Sequence, residues 1–96
     1  MAAYLIVAIK EISDSERFAE YRRRVGATLE AYGGKYVTGR GTVETLEGNW
    51  QPVGLTVVEF ANAERIHAWY ESAAYQELTP LREGAAEGDF VIVPGA

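Results

Sequence analysis

The chain of 96 residues is 48% apolar, carries a formal net charge of −5 (9 Lys and Arg against 14 Asp and Glu) and contains no cysteine. That is room for one domain, spanning residues 1–96, too apolar for a disordered segment and too acidic to expect a nucleic-acid or anionic-membrane partner. Disulfides, thiolate nucleophiles and cysteine metal sites are excluded, and a single histidine leaves a one-chain zinc or iron site short of ligands, so no metal and no cofactor is expected.

The opening "MAAYLIVAIKE" lacks a basic start, and its apolar run is too short for a signal peptide or a membrane span, so a cytoplasmic location is expected. Residues 3–9, "AYLIVAI", read instead as a strand buried on both faces. Ser13 and Glu16 have the spacing of a capping box. Phe18, Tyr21, Val25, Leu29 and Tyr32 then recur at three and four residues, the stripe of an amphipathic helix. Arg22, Arg23 and Arg24 lie mostly off the stripe and read as a solvated face paired with Glu20. Gly33 and Gly34 end the helix.

"KYVTGRGTVETLEG" reads as a long strand, with a bulge at Gly39 or Gly41 to reconcile the parity of its apolar residues. "EGNWQPVG" is a turn and "LTVVEF" a shorter strand. Asn62 caps a second helix over "ANAERIHAWYES". Its buried stripe is expected at Ala63, Ile66, Tyr70 and Ala74, which makes Tyr70 the core aromatic and puts His67 and Trp69 at opposite edges. Ser72 breaks that helix and caps a short one, "AAYQEL". Thr79 and Pro80 read as the cap and first position of another short turn, and "DFVIVPG" is the last strand.

The order β-α-β-β-α-β is the ferredoxin-like plan: an α+β fold with an antiparallel sheet and two main helices on one face. Two helices leave the other sheet face bare, yet it does not turn polar. Tyr4, Ile6 and Ala8 oppose Leu5, Val7 and Ile9, and Phe90 and Ile92 oppose Val91 and Val93. A bare apolar face of that extent implies a second copy packed sheet to sheet, a two-fold homodimer.

The blocks "AYLIVAI", "YGGKY", "LEGNW", "VVEFANAE", "AWYESAAYQ" and "PLREGAAEGDFVIV" resemble, in order and over nearly the whole chain, those of the domain-of-unknown-function family 1330 (DUF 1330). The resemblance implies membership of the dimeric α/β-barrel superfamily, in which two ferredoxin-like subunits pack sheet to sheet and whose relatives include cofactor-free monooxygenases. It implies no activity, since the family has none established. The family pattern falls here on Gly33, Gly34, Glu47, Gly48, Trp50, Glu59 and Phe60, and further on at Trp69, Tyr70, Ser72, Tyr75 and Arg82. Two departures stand out. Ala73-Ala74 replaces the family's Pro-Glu between Ser72 and Tyr75, and Arg40 stands one position after the family's strand arginine, which turns a strand side chain to the other face.

Three functional readings follow. In the first, the protein is a cofactor-independent enzyme acting on a small organic molecule held between sheet and helices. Glu59 or His67 would move protons, Arg40 or Arg82 would hold an anionic group, and Trp69, Tyr36 and Tyr75 would wall the pocket, with Ser72 either capping a helix or donating a hydrogen bond to the ligand. In the second, the same cavity belongs to a non-catalytic binding module. In the third, the polar residues are structural, Glu59 pairs with Arg40 or Arg82, and the dimer has no open pocket. Trp50, a large aromatic on a turn, is expected against the partner subunit.

Overall fold

Strand β1, Ala3–Ile12, is the strand on which the sheet is built. In the computed structural model, which describes residues 1–39 and 41–96, it is flanked on both sides by antiparallel partners. One is β3, Gly54–Phe60; the other is β4, Ala86–Pro94. A two-residue β2, Lys35–Tyr36, extends the far side of β3 and completes the order β2-β3-β1-β4. This is the ferredoxin-like arrangement, with α1 at Ser15–Ala31, α2 at Ala63–Glu71 and two single-turn helices, α3 at Ala73–Gln76 and α4 at Thr79–Arg82.

Register assigns the two faces. Leu5 lies opposite Val58 on one side and Ile92 on the other, and Val7 opposite Phe90, so these residues share the helix-covered face. They join Phe18, Tyr21 and Leu29 of α1 and Ile66 and Trp69 of α2 in one core. Tyr4, Ile6 and Ala8 point the other way, alongside Leu55, Val57 and Glu59 of β3 and Val91 and Val93 of β4. Among the described residues no layer covers that face, and Val91 and Val93 are 48% and 39% exposed.

Helix α1 starts one residue later than the capping-box spacing suggests. Asp14, not Ser13, takes the cap: its carboxylate accepts from the Arg17 backbone N–H at 3.1 Å. The Ser13 hydroxyl is drawn away to the Gly84 carbonyl at 3.0 Å, tying the β1–α1 corner to the turn before β4. Asp14→Ala is therefore expected to lower stability by about 1 kcal/mol, seen as a fall in Tm of about 4–8 °C. An unchanged melting curve would show the cap to be idle. The helix ends as its glycines indicate. Gly33 has φ +83, and Gly34 lies so close to Phe60 that an added Cβ would fall 2.8 Å from the ring.

The long second strand does not form. Pairing of β2 with β3 stops after Lys35↔Glu59 and Tyr36↔Val58, with one further bond from Val37 N–H to the Val57 carbonyl at 2.9 Å. The Thr38 hydroxyl then accepts from the Val57 N–H at 3.0 Å, filling with a side chain the place of the next ladder acceptor. Residues 41–53 contain no strand, so no bulge at Gly41 is needed. Arg40 lies outside the described residues.

The second helical region also needs correction. Asn62 caps α2 as expected, its side chain accepting from the Arg65 N–H at 2.9 Å. The buried residues, however, are Ile66 and Trp69. Trp69 is 1% exposed and Tyr70 44%, the reverse of the expected roles. The expected stripe needed Ala74 on the same helix, but the chain turns at Ser72 and Ala74 belongs to α3. Without that fourth member, Ile66 and Trp69 at i and i+3 fit the 3.6 period as well as Ile66 and Tyr70 do. Thr79 is likewise not a cap: it lies inside α4, and its hydroxyl donates to the Gln76 carbonyl at 2.9 Å.

Candidate functional site

Between α1 and the covered sheet face lies a cavity of about 570 Å³. Its deep wall is apolar: Leu5, Ile9 and Val58 from the sheet, Phe18 and Leu29 from α1, and Trp69 from α2. Its mouth is formed by exposed residues, among them Tyr36, Thr38, Gly39 and Val53, where the truncated β2 leaves the edge of β3 uncovered. Arg22 also borders the cavity, its guanidinium 5.7 Å from the centre of the Phe18 ring. Arg22 is therefore set apart from Arg23, which forms the expected ion pair with Glu20 and holds that carboxyl below its usual pKa.

A polar cluster stands at one wall. Tyr21 lines the cavity, and its hydroxyl bonds the Tyr75 hydroxyl at 2.9 Å. Tyr75 is fully buried behind it. The Arg82 guanidinium lies 4.8 Å over the Phe90 ring and faces both phenols. Burial pushes the Tyr21 phenol well above its ordinary pKa, and Tyr75 pushes it the same way. Burial acts against the charge of Arg82, but the phenols of Tyr75, Tyr21 and Tyr70 more than offset it, leaving the guanidinium pKa raised. Arg82 is thus a fixed cation, and its Nε is buried without a hydrogen-bond partner among the described residues.

The aromatic wall is tied down. The Trp69 indole N–H donates to the Thr28 hydroxyl at 3.0 Å, which itself donates to the Val25 carbonyl at 2.7 Å. The Trp69 and Tyr75 rings meet at 4.2 Å across the Ser72 break, too close for anything to lie between them. The Ser72 hydroxyl donates to the Trp69 carbonyl at 2.7 Å and accepts from the Tyr75 N–H at 3.2 Å. With its one proton so placed, it joins α2 to α3.

The sequence-derived site residues therefore divide. Trp69 lines the inner wall with Tyr75 and Arg82 packed behind that wall, and Tyr36 stands at the mouth of the same cavity. Glu59 points to the uncovered sheet face, opposite Tyr4 and Lys35, with no ion pair within 4 Å among the described residues. His67 is exposed on α2 and does not line the cavity. Tyr21, taken from sequence only as a stripe residue of the first helix, lines the cavity and carries a hydroxyl bonded to that of Tyr75. Its partner is 54 residues away, so no local pattern could announce it. Among the described residues no group of three or more acidic or histidine side chains is placed to hold a metal ion, and no helix is long and apolar enough to cross a membrane.

The family Domain of unknown function (DUF1330) matches residues 2–96. The chain belongs to this family. The DUF1330 chain is similar in structure to a protein of unknown function from Rhodopseudomonas palustris (TM-score 0.80, 17% identity, covering 99% of this chain and 82% of that one). It is also similar to SnoaB, a cofactor-independent oxygenase from Streptomyces nogalater (TM-score 0.67, 3% identity, 99% and 93% covered). A third similar structure is a dimeric protein of unknown function and ferredoxin-like fold from Bacteroides fragilis (TM-score 0.60, 12% identity, 95% and 93% covered). At these identities the likeness shows that the DUF1330 chain shares their fold, and nothing more. No curated protein matches it.

Proposed function

We propose that two copies join through the apolar sheet face, and that each chain takes up a small, mostly apolar organic molecule between α1 and the sheet and acts on it as an enzyme without a bound cofactor. The cavity is the observation behind this reading: about 570 Å³, within the range of small-molecule sites, apolar at depth and open at one edge. Its size weighs against a dimer with no pocket. A cofactor-independent oxygenase on the same fold supports the enzymatic form by analogy. In such chemistry the substrate supplies the electrons, and the protein's part is to bind, orient and stabilise charge. The non-catalytic binding module is favoured by a different observation, the position of Glu59 and His67 away from the cavity.

The test begins with native mass spectrometry of the purified protein and thermal-shift screening of bicyclic ring compounds. A bound molecule in each chain, or a rise in Tm with ligand, is expected. Gly26 lines the cavity on α1, and a Cβ there would sit 3.6 Å from the Tyr36 hydroxyl. Gly26→Leu would fill the mouth and is expected to weaken ligand binding at least tenfold without unfolding the chain. Unchanged binding in that variant would move the site elsewhere. Binding without any product from the unmodified protein under air would leave the binding module.

A further inference from the structure

The hydroxyls of Tyr21 and Tyr75 form one hydrogen bond between them, at 2.9 Å. Two phenols own two protons, and that bond uses one. Arg82, the charged group against the pair, has donors only and cannot accept the other. Among the described residues no further acceptor lies within bonding distance of either hydroxyl. One O–H is therefore uncommitted on two buried side chains, where an unmet donor is unfavourable. Tyr75 is 0% exposed and does not border the cavity, whereas Tyr21 does. The arrangement that satisfies both phenols runs in one direction: with the Arg82 cation against Tyr75, Tyr75 donates to Tyr21, and Tyr21 donates into the cavity.

We infer that Tyr21 presents a hydrogen-bond donor to the molecule in the cavity, so that the ligand is an apolar ring compound bearing a ketone, enolate or phenolate oxygen; this rests on the cavity being the ligand site proposed above. The surroundings fit such a compound. Phe18, Trp69 and Phe90 offer ring faces and edges, and the rest of the deep wall is aliphatic. An oxygen that gains negative charge would gain most. Each member of the chain polarises the next, and the fixed charge of Arg82 stands at its far end. The same chain disfavours a ligand whose only polar group is a donor, such as an ammonium, because it would meet the Tyr21 proton head on.

1-Tetralone and tetralin, which share a bicyclic frame and differ by one carbonyl, test this directly. Both are titrated into the unmodified protein and into Tyr21→Phe, with binding followed by NMR. The substitution is expected to weaken 1-tetralone about tenfold and to change tetralin less than twofold. A second measurement needs no variant: the infrared carbonyl band of 1-tetralone bound to the unmodified protein should lie below its position in an apolar solvent. Equal effects of Tyr21→Phe on the two compounds, or a carbonyl band at the apolar-solvent position, would overturn the donor while leaving the cavity as the ligand site. Failure of both compounds to bind the unmodified protein would sink the cavity reading and the donor with it.

Discussion

Trp69→Ala is expected to lower the stability of the chain by about 3–5 kcal/mol, and Tyr70→Ala by about 1 kcal/mol or less. The two residues are neighbours in sequence and similar in size, so the contrast reports their environments alone. Trp69 is almost wholly buried, packs tilted against Tyr75 and is held to α1 by its indole N–H. Its removal opens a void at the junction of α1, α2 and the sheet, and leaves the Thr28 hydroxyl without its donor. Tyr70 keeps nearly half its surface in water and covers Tyr75 and Phe90 from outside, at 5.6 Å and 6.5 Å between ring centres. Urea denaturation of the two variants decides the matter. Equal losses, or the larger loss at Tyr70, would mean that α2 is rotated by about one residue from the position described here.

Val91→Glu is expected to leave a folded monomer, and the unmodified chain a dimer, in sedimentation velocity at micromolar concentration. Val91 faces Ile6 on the uncovered side of the sheet and is half exposed in the single chain, so a carboxylate there meets water and costs the fold little. Packed against a second sheet, the same carboxylate would lose its water with no cation opposite, a penalty of several kcal/mol applied twice by symmetry. The apolar patch extends from Val91 and Val93 across Ile6 to Val57, with Lys10 and Asp89 ion-paired at its margin at 3.2 Å. That pattern, an apolar centre with a charged rim, is the one expected of an interface between copies. Unchanged circular dichroism must accompany the loss of the dimer. A monomeric unmodified chain, or a dimeric Val91→Glu, would each defeat the sheet-to-sheet arrangement. Trp50 and Leu46, exposed beyond the sheet edge, are then natural contacts for the second copy.

Much of the fold was legible in the chain because it rests on local chemistry. The run at residues 3–9 read as a strand, and it forms most of β1. The Gly33-Gly34 stop, the Asn62 cap and the Ser72 break all act within a few residues of themselves, through φ freedom or one side-chain oxygen. The misread features share another property: two local choices of similar energy, separated by something distant. Ser13 and Asp14 could each cap α1, and the Gly84 carbonyl, 71 residues on, claimed the Ser13 hydroxyl. Tyr70 and Trp69 could each enter the core, and Thr28 on α1 offered the indole a partner. The segment after Tyr36 could extend as a strand, and the Thr38 hydroxyl took the Val57 N–H instead.

The candidate site divides in the same way. Trp69 and Tyr75 stood out as aromatics in one recognisable block of the chain, and Arg82 as a cation in the next. Tyr21 did not, because a tyrosine on a helix stripe is first of all an apolar ring. The sequence by itself determined the order of elements, the antiparallel sheet and its second apolar face, since all three follow from periodicity and from residues close along the chain. Only the tertiary structure decided which aromatic is buried, where the cavity opens and that the Tyr21 and Tyr75 hydroxyls meet beside it. Those depend on hydrogen bonds and contacts between residues tens of positions apart, and neither period nor propensity encodes such pairings.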